Sequence, residues 1–202
     1  MSQGAASAVP KMPPKIRRVL TPVMAKPPRT QASEIAATHS RTFFVTTKTA
    51  QGRSILQSDR MANLFINVLR ENMRARHFTV HEFVVMPDHV HLLITVPADS
   101  TIEKAVQRIK GSFSFRAGRE LGFKGEIWQR GFSEMRIHDD GSFAQHRGYI
   151  EKNPVKRGLV REPAEYPFGS LYLKRKKKTD VEERASQQGL KPEISGSADR
   201  HD

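Results

Sequence analysis

Two β-type segments separated only by a short turn sequence constrain the fold more than any other feature. They span about residues 77–86 and 89–96, and Pro87-Asp88 between them is typical turn chemistry. The apolar residues at every second position of the later segment are Val90, Leu92, Ile94 and Val96. Because successive side chains of a strand point to opposite faces, these four predict a face that packs on helices.

Two helices are predicted, one before and one after this strand pair in the sequence. Ser54 is expected to cap a helix that extends to about Arg76, and Thr101 or Ser100 to cap a second one. The apolar positions of the first are Ile55, Met61, Leu64, Phe65, Val68 and Leu69, and those of the second are Ile102, Ala105, Val106, Ile109, Phe113 and Phe115. Both sets recur approximately at helical spacing.

The remaining elements complete an alternating order. Residues 42–47 are a β-type run, and residues 127–128 and 134–138 are predicted strand pieces. Asp139 or Asp140 should cap a third helix, which is expected to end near Asn153 because Pro154 follows. The order β-α-β-β-α-β-α predicts an α+β domain of ferredoxin-like type, with a mostly antiparallel sheet and packed helices.

Both ends of the chain differ from the middle. Residues 1–38 hold six of the twelve prolines, six Lys or Arg and a single acid, Glu34, which predicts a disordered basic arm. Residues 174–202 begin with the basic run KRKKK and continue as a polar stretch, which predicts a second disordered tail. Residues 39–173 are left as one domain.

The composition narrows the function classes. The net charge of +13 favours a polyanionic partner, most commonly nucleic acid, over a solvated surface without a partner. The absence of cysteine excludes disulfides, zinc-thiolate sites and thiol catalysis. No apolar run approaches the ~18–20 residues of a membrane span, and no secretory leader is recognisable at the N-terminus. We therefore expect a cytoplasmic protein without a membrane partner.

The first candidate for chemistry is the pair His89 and His91 on the predicted strand. Residues two apart on a strand point to the same face, so the imidazoles would lie side by side and could hold a divalent cation. The alternative is a pair of partly exposed strand histidines without a ligand.

The second candidate is the segment His146 to Pro154. Tyr149 and Asn153 are four residues apart, and on a helix they would share one face with His146. The phenol could act as a nucleophile and the amide oxygen could complete the ligand set of the cation. The alternative is a core tyrosine followed by a helix-ending asparagine.

Together the two candidates form a coherent phosphoryl-transfer site. A hard cation such as Mg²⁺ or Mn²⁺ polarises a phosphodiester and offsets the developing charge. A phenol near its unperturbed pKa of about 10 needs such help, or a basic neighbour, to react as phenolate.

Three motifs in this order resemble the HUH single-tyrosine transposases, and most closely the REP-associated tyrosine transposases of bacteria. They are residues 85–93 (VMPDHVHLL), 127–132 (IWQRGF) and 149–160 (YIEKNPVKRGLV), and the likeness extends over about residues 40–172. The resemblance implies that His89, His91 and Asn153 bind the metal. It also implies that Tyr149 forms a 5′-phosphotyrosine and frees a 3′-hydroxyl. The implied substrates are single-stranded DNA hairpins of short palindromic repeats. Asp88 stands where many members have asparagine.

Several other residues are candidate DNA contacts. They are Trp128, Gln129 and Arg130 in the IWQRGF motif, Arg108, Lys110 and Arg116 on the second helix, and Lys174, Arg175 and Lys176 in the basic run. For the tryptophan the alternative is a core position, and for the basic residues it is a solvated charged surface.

Three functions stay open on the sequence alone. The favoured one is a tyrosine transposase, acting as a monomer or a homodimer. The others are a catalytically inactive or domesticated DNA- or RNA-binding protein of the same fold, and a metal-dependent hydrolase in which Tyr149 is structural.

Overall fold

A computed structural model describes residues 39–187, and the predicted basic arm 1–38 and residues 188–202 lie outside the described residues. The four strands are β1 (Arg41–Lys48), β2 (Thr79–Val85), β3 (His89–Val96) and β4 (Ser133–Ile137). The four α-helices are α1 (Asp59–Arg74), α2 (Ile102–Leu121), α3 (Asp140–Lys156) and α4 (Ser170–Gln187).

The strands form one antiparallel sheet in the order β2-β3-β1-β4. Strand β3 lies inside the sheet, where His91 pairs with Thr46 of β1 and with Val84 of β2. The inner position of β3 between β1 and β2, with helices connecting the strands, is the split β-α-β arrangement of the ferredoxin-like class. The predicted fold class is therefore confirmed.

Helices cover both faces of β3. Val90, Leu92, Ile94 and Val96 lie in the larger core together with buried residues of α1 and α2, such as Phe65 and Phe113. On the opposite face, Leu93 packs with Ile150 of α3 and with Tyr166 in a smaller core. The predicted apolar face of β3 is confirmed, and the histidine face is the one that α3 covers.

The helix starts follow the predictions at two of three places. Thr101 caps α2 by accepting from the Lys104 N–H, and Asp139 caps α3 by accepting from the Ser142 N–H. The first prediction is wrong, because Ser58 and not Ser54 caps α1. Ser54 precedes a separate 3₁₀ turn, in which the Leu56 N–H donates to the carbonyl of Pro87 at 2.9 Å and so binds this segment to the β2–β3 turn.

One predicted core residue of α2 is exposed. Phe115 is 64% exposed, whereas Phe113 and Ala117 are fully buried. Residues two apart on a helix lie about 200° apart around its axis, so Phe115 cannot share the face of Phe113. The apolar face of α2 therefore continues from Phe113 to Ala117.

Helix α3 does not end at Asn153 as predicted. It passes through Pro154 and ends after Lys156, because the proline lies in the last turn and removes only one helical hydrogen bond. Gly158, with φ +68°, then terminates the helix. Its N–H donates to Val155 and the Leu159 N–H donates to Pro154, which is the Schellman pattern. Asn153 therefore lies in helical backbone.

The segment before α4 covers the outer edge of β2. The Val85 N–H donates to the Phe168 carbonyl at 2.9 Å, and the hydroxyl of Tyr166 donates to the Val85 carbonyl at 2.8 Å. The Phe83 N–H donates to the hydroxyl of Ser170 at 2.9 Å. These bonds satisfy an edge that would otherwise be open to pairing with another strand.

Helix α4 extends into the segment that was predicted to be a disordered tail. Residues 174–187 are helical, where a disordered tail was predicted, because α4 is continuous from Ser170 to Gln187. The segment contains no proline or glycine, and its Lys, Arg and Glu residues are good helix formers. It is also anchored to the sheet: the ammonium of Lys174 lies 2.6 Å from the carboxylate of Glu82, which is 2% exposed.

We expect Lys174→Met to lower the free energy of unfolding by about 1–2 kcal/mol, because it leaves the buried Glu82 carboxylate without its cation. The value is at the low end for such a change because Lys174 itself is more than half exposed. Lys177→Met, an exposed neighbour on the same helix, is the matched control. Equal urea midpoints for the two variants would contradict the anchoring of α4 by Glu82.

Candidate active site

The two histidines lie side by side on the sheet face covered by α3. His89 and His91 are the first and third residues of β3, and their ring centroids are 4.7 Å apart. The residues are 8% and 5% exposed, respectively. The sequence-based prediction that both imidazoles emerge on one face is therefore confirmed.

Each imidazole is held through its Nδ1 atom. His89 Nδ1 lies 2.6 Å from Asp88 Oδ1, and His91 Nδ1 lies 2.8 Å from the hydroxyl of Thr46. The Asp88 carboxylate can only accept, so it favours the His89 tautomer whose Nδ1 carries the proton and whose Nε2 has a free lone pair. Carboxylate or hydroxyl partners of this kind orient histidines that bind a metal.

The burial of His91 keeps it neutral. Burial is the largest cause that lowers the pKa of His91 to about 3, and the charges of His89, Lys48 and Arg157 contribute to the same shift. A neutral imidazole is the form that binds a metal. Burial alone would raise the pKa of Asp88, but the hydrogen bond from His89 and the charge of Arg157 outweigh it and hold that pKa below its ordinary value.

Tyr149 lies next to this pair and at the surface. Its ring centroid is 5.2 Å from that of His91, and the residue is 40% exposed. The Phe44 ring packs edge-to-face with the Tyr149 ring, with the two centroids 5.7 Å apart. By contrast, burial raises the pKa of Tyr166 to about 12, and its hydroxyl is bonded to the backbone. Tyr149 is therefore the tyrosine that an outside substrate can reach beside the histidines.

Asn153 lies between two points at which α3 contacts the histidine region. Four residues before it Tyr149 contacts His91, and four residues after it Arg157 binds Asp88 at 3.0 Å. Asn153 is buried, and its Oδ1 has no hydrogen-bond partner among the described residues. A buried amide oxygen without a partner needs an explanation, and a bound cation would supply one. The donor set of two imidazoles and one amide therefore fits a divalent metal.

No group of three His, Cys, Asp or Glu side chains within residues 39–187 is arranged to hold a metal. A cation at this site would accordingly depend on the Asn153 amide, on water or on substrate oxygens in addition to the histidines. Such open, oxygen-rich coordination is typical of Mg²⁺ and Mn²⁺.

A cleft of about 390 Å³ opens beside Tyr149. Its lining residues are Phe44, Gln145, His146, Gly148, Tyr149, Lys152 and Lys156. The Lys156 ammonium lies 5.0 Å from the centre of the Tyr149 ring. His146 lies against Phe44, with ring centroids 4.8 Å apart, as expected for a residue on the Tyr149 side of α3. The cleft thus combines a phenol with two cations that can attract a phosphate.

Sequence reasoning missed several residues around the site. Thr46 and Lys48 face the histidines from β1, Lys152 and Lys156 line the cleft, and Arg157 binds Asp88. The helical spacing from Tyr149 could have indicated Lys152 and Lys156. The partners on β1 depend on the strand register, which the sequence does not encode locally.

The structure assigns structural roles to four of the predicted DNA contacts. Trp128 is only 7% exposed and packs on Phe65 and Phe113 in the larger core. The Lys110 ammonium donates to the carbonyls of Gln129 and Gly131, and Arg116 is paired with Glu71 and Glu120. Lys174 is paired with Glu82. The core placement of Trp128 removes the face on which a base would stack.

The other predicted DNA contacts are exposed. Arg108 lies on α2, which covers the sheet face opposite the histidines, so it does not share their surface. Gln129 and Arg130 belong to a loop that is bonded to the end of β1, where the Gln129 N–H donates to the Lys48 carbonyl. Lys48 pairs with His89, so this loop lies near the histidine end of the sheet. Arg175 and Lys176 are exposed on α4.

A family model described as transposase IS200 like matches residues 38–153, which is more than half of the chain. The chain belongs to the IS200-like transposase family. The matched region includes His89, His91, Tyr149 and Asn153, the four residues predicted for metal binding and catalysis.

Two curated relatives and one solved structure refine the place of this IS200-like chain. The REP-associated tyrosine transposase of Escherichia coli (strain K12) is 30% identical over 135 residues, covering 65% of this chain and 76% of the relative. A putative REP-associated tyrosine transposase of Haemophilus influenzae is 30% identical over 120 residues, covering 54% and 68%. A REP-associated tyrosine transposase solved with a REP hairpin matches with a TM-score of 0.53 and 28% identity, covering 81% of this chain and 89% of that one. The suspected membership in this branch is confirmed.

None of the helices within residues 39–187 combines the length and apolar character needed to span a lipid bilayer.

We expect Trp128→Ala to lower the free energy of unfolding by about 3–5 kcal/mol, because it removes a large ring from the core. Trp128→Phe should lower it less and leave the affinity for DNA close to that of the wild type, because a buried ring offers no face for base stacking. Urea unfolding and fluorescence anisotropy would measure the two effects. A loss of DNA affinity in a folded Trp128→Phe variant would contradict the core assignment.

In metal-free protein we expect the free energy of unfolding to fall as the pH is lowered from about 6.5 towards 3. The unfolded chain protonates His91 below its ordinary pKa of about 6.5, whereas the folded chain does not until about pH 3. The unfolded state therefore binds more protons in this window and is favoured. His91→Gln should reduce the slope by up to about 1.4 kcal/mol per pH unit in urea titrations. Equal slopes would show that His91 is not buried in its neutral form.

Proposed function

We propose that this IS200-like transposase is a metal-dependent enzyme that cleaves and rejoins single-stranded hairpin DNA of the REP type. In this proposal Tyr149 is the nucleophile and forms a 5′-phosphotyrosine. The observation that carries the proposal is the contact of the exposed Tyr149 ring with His91, which is itself beside His89.

In this proposal three residues bind the metal and Tyr149 attacks the phosphodiester. His89 and His91 would offer their Nε2 atoms, and Asn153 its unpartnered Oδ1, to a divalent cation. When bound, Mg²⁺ or Mn²⁺ would polarise the phosphoryl oxygen and offset the charge that develops on it. The Lys152 and Lys156 side chains beside Tyr149 would attract the phosphodiester into the cleft.

The reaction exchanges one phosphoester for another. The phenolic oxygen of Tyr149 loses its proton and forms a bond to phosphorus, and the bond from phosphorus to the 3′-oxygen breaks. The departing oxygen takes up a proton and becomes a free 3′-hydroxyl. Because the phosphoester is retained, attack of a 3′-hydroxyl on the phosphotyrosine joins strands without a nucleotide cofactor.

The substrate class rests on the relatives and on charge. The solved relative is described as bound to a REP hairpin, and two curated relatives are named for association with REP sequences. The net charge of +13 and the exposed Arg130, Arg175 and Lys176 support binding of a nucleic-acid backbone. A cytoplasmic location fits such a substrate.

The decisive experiment is incubation with a labelled single-stranded hairpin and Mn²⁺, followed by denaturing electrophoresis. We expect a covalent protein–DNA adduct with the wild type and none with Tyr149→Phe, because the phenylalanine has no oxygen to bond to phosphorus. Hairpin affinity should change less than about threefold, since the ring remains. Tyr172→Phe, in α4, is the matched control and should form the adduct normally.

The other functions give different outcomes in the same experiment. Cleavage without an adduct that persists in Tyr149→Phe would identify a hydrolase that uses water. Hairpin binding without cleavage under either metal would identify a catalytically inactive or domesticated binding protein of the same fold.

We expect Asn153→Ala to weaken Mn²⁺ binding at least tenfold, because the cation loses its amide ligand. The free energy of unfolding of the metal-free protein should change by less than about 1 kcal/mol, because Oδ1 has no hydrogen-bond partner to lose. Titration of free Mn²⁺ by electron paramagnetic resonance would measure the affinity. Unchanged Mn²⁺ affinity would remove Asn153 from the ligand set.

A further inference from the structure

The carboxylate of Asp88 contacts both a candidate metal ligand and the helix that carries the nucleophile. Its Oδ1 lies 2.6 Å from His89 Nδ1. The guanidinium of Arg157 donates from one Nη2 atom to Oδ1 at 3.1 Å and to Oδ2 at 3.0 Å. Arg157 is the C-cap residue of α3, so this ion pair ties the end of α3 to the turn before β3.

The turn that presents Asp88 is held rigidly by the backbone. The Asp88 carbonyl accepts from the N–H and from the hydroxyl of Thr49, each at 2.9 Å. The Met86 N–H donates to the His89 carbonyl at 2.8 Å and closes the hairpin. Thr49 is fully buried. The carboxylate therefore projects from a fixed point, and its partners are positioned relative to that point.

The Arg157 end of the pair is equally well defined. The Schellman bonds at Gly158 and Leu159 fix the backbone on both sides of Arg157. Asn153 lies one turn before Arg157, so any shift of the helix end relative to Asp88 also shifts the Asn153 amide relative to His89. Tyr149, on the same helix, contacts His91, with ring centroids 5.2 Å apart.

Resting on the function proposed above, we infer that Asp88 and Arg157 are a positioning pair for the metal site. Asp88 sets the ring orientation and tautomer of His89, and Arg157 holds that carboxylate and so keeps the end of α3, with Asn153 one turn before it, in a fixed position relative to His89. Neither residue touches the substrate or the metal in this role.

Magnitudes separate this role from a role in stability. Asp88 and Arg157 are partly exposed, with side chains 31% and 52% exposed, and ion pairs of that kind contribute only about 0–1 kcal/mol to folding. Residues that hydrogen-bond to metal ligands, by contrast, change the metal affinity about 10–100-fold when they are removed. The pair should therefore have a small effect on unfolding and a large effect on metal binding.

The direction in which removal of Arg157 changes the metal affinity distinguishes two explanations. The guanidinium is a positive charge close to the proposed cation, so by Coulomb repulsion alone its removal should strengthen metal binding. Positioning through Asp88 predicts the opposite, a weaker affinity. The two explanations therefore differ in direction and not only in size.

The test is Mn²⁺ affinity of the full-length, DNA-free protein, measured by electron paramagnetic resonance of free Mn²⁺. We expect Asp88→Ala to weaken binding about 10–100-fold and Arg157→Met on the order of tenfold. The double variant should bind no more weakly than Asp88→Ala, because Arg157 acts through that carboxylate. Arg157→Lys, which keeps the charge, should recover part of the affinity.

Two controls complete the design. Arg147→Met removes an exposed arginine from the same helix and should leave the Mn²⁺ affinity within about twofold, which accounts for the loss of one positive charge. Urea unfolding of metal-free Asp88→Ala and Arg157→Met should differ from the wild type by less than about 1 kcal/mol.

The outcomes that overturn the inference are distinct from those that overturn the function. If Arg157→Met binds Mn²⁺ as well as the wild type or better, or if the two losses multiply in the double variant, the positioning role is wrong while the transposase proposal stands. If the wild type shows no Mn²⁺ binding that depends on His89, both the pair and the metal-dependent reaction fail.

Discussion

Strand β3 is covered on both faces, and this double coverage determines where everything else lies. One face carries four aliphatic residues into the core formed with α1 and α2. The other presents His89, His91 and Leu93, of which only Leu93 is apolar. Its contact with Ile150 seats α3 over the histidines, and Tyr149, the residue before Ile150, is thereby directed to the rim of the covered area. A small apolar contact thus brings an exposed tyrosine beside two buried imidazoles.

The electrostatic arrangement suits an anionic substrate and a cation together. Burial keeps His91 neutral, and each imidazole is oriented through its Nδ1 partner, so the His91 ring adds no positive charge in the absence of metal. Lys152 and Lys156 line the cleft beside it, where contact with solvent keeps their charges hydrated. Asp88 is the nearest carboxylate to His89 and is already matched by Arg157. A phosphate would therefore meet lysines at the rim, and a cation would meet a buried centre at which the charge of Arg157 is matched by Asp88.

The sequence predicted the parts of the fold that depend on periodicity and local chemistry. Strand alternation gave the two faces of β3, and Thr101 and Asp139 were recognisable caps. The errors have physical causes of three kinds. Ser54 was misjudged as a helix cap because the residues after it form a 3₁₀ turn that is hydrogen-bonded to Pro87. Pro154 was misjudged as a helix end because hydrogen bonds from Gly158 and Leu159 complete the last turn after it. Phe115 was misjudged because one residue broke the spacing. The helical continuation beyond Lys174 was missed because a run of positive charge is typical of a solvated tail. The ion pair that holds it, between Lys174 and Glu82, joins residues far apart in the sequence.

For the site, residue types and spacing predicted His89, His91, Tyr149 and Asn153, but not what holds them. Thr46 and Arg157 reach their partners across 45 and 69 positions of sequence, a separation that no local pattern encodes. The bonds from residues 166–170 to β2 have a similar long range, and they lie beyond the region matched by the family model, which ends at residue 153. A fragment that ends at residue 153 would lack the segment that covers the outer edge of β2, and it would therefore expose an unpaired strand edge. We expect such a fragment to self-associate, so the folding unit is larger than the region that the family model matches.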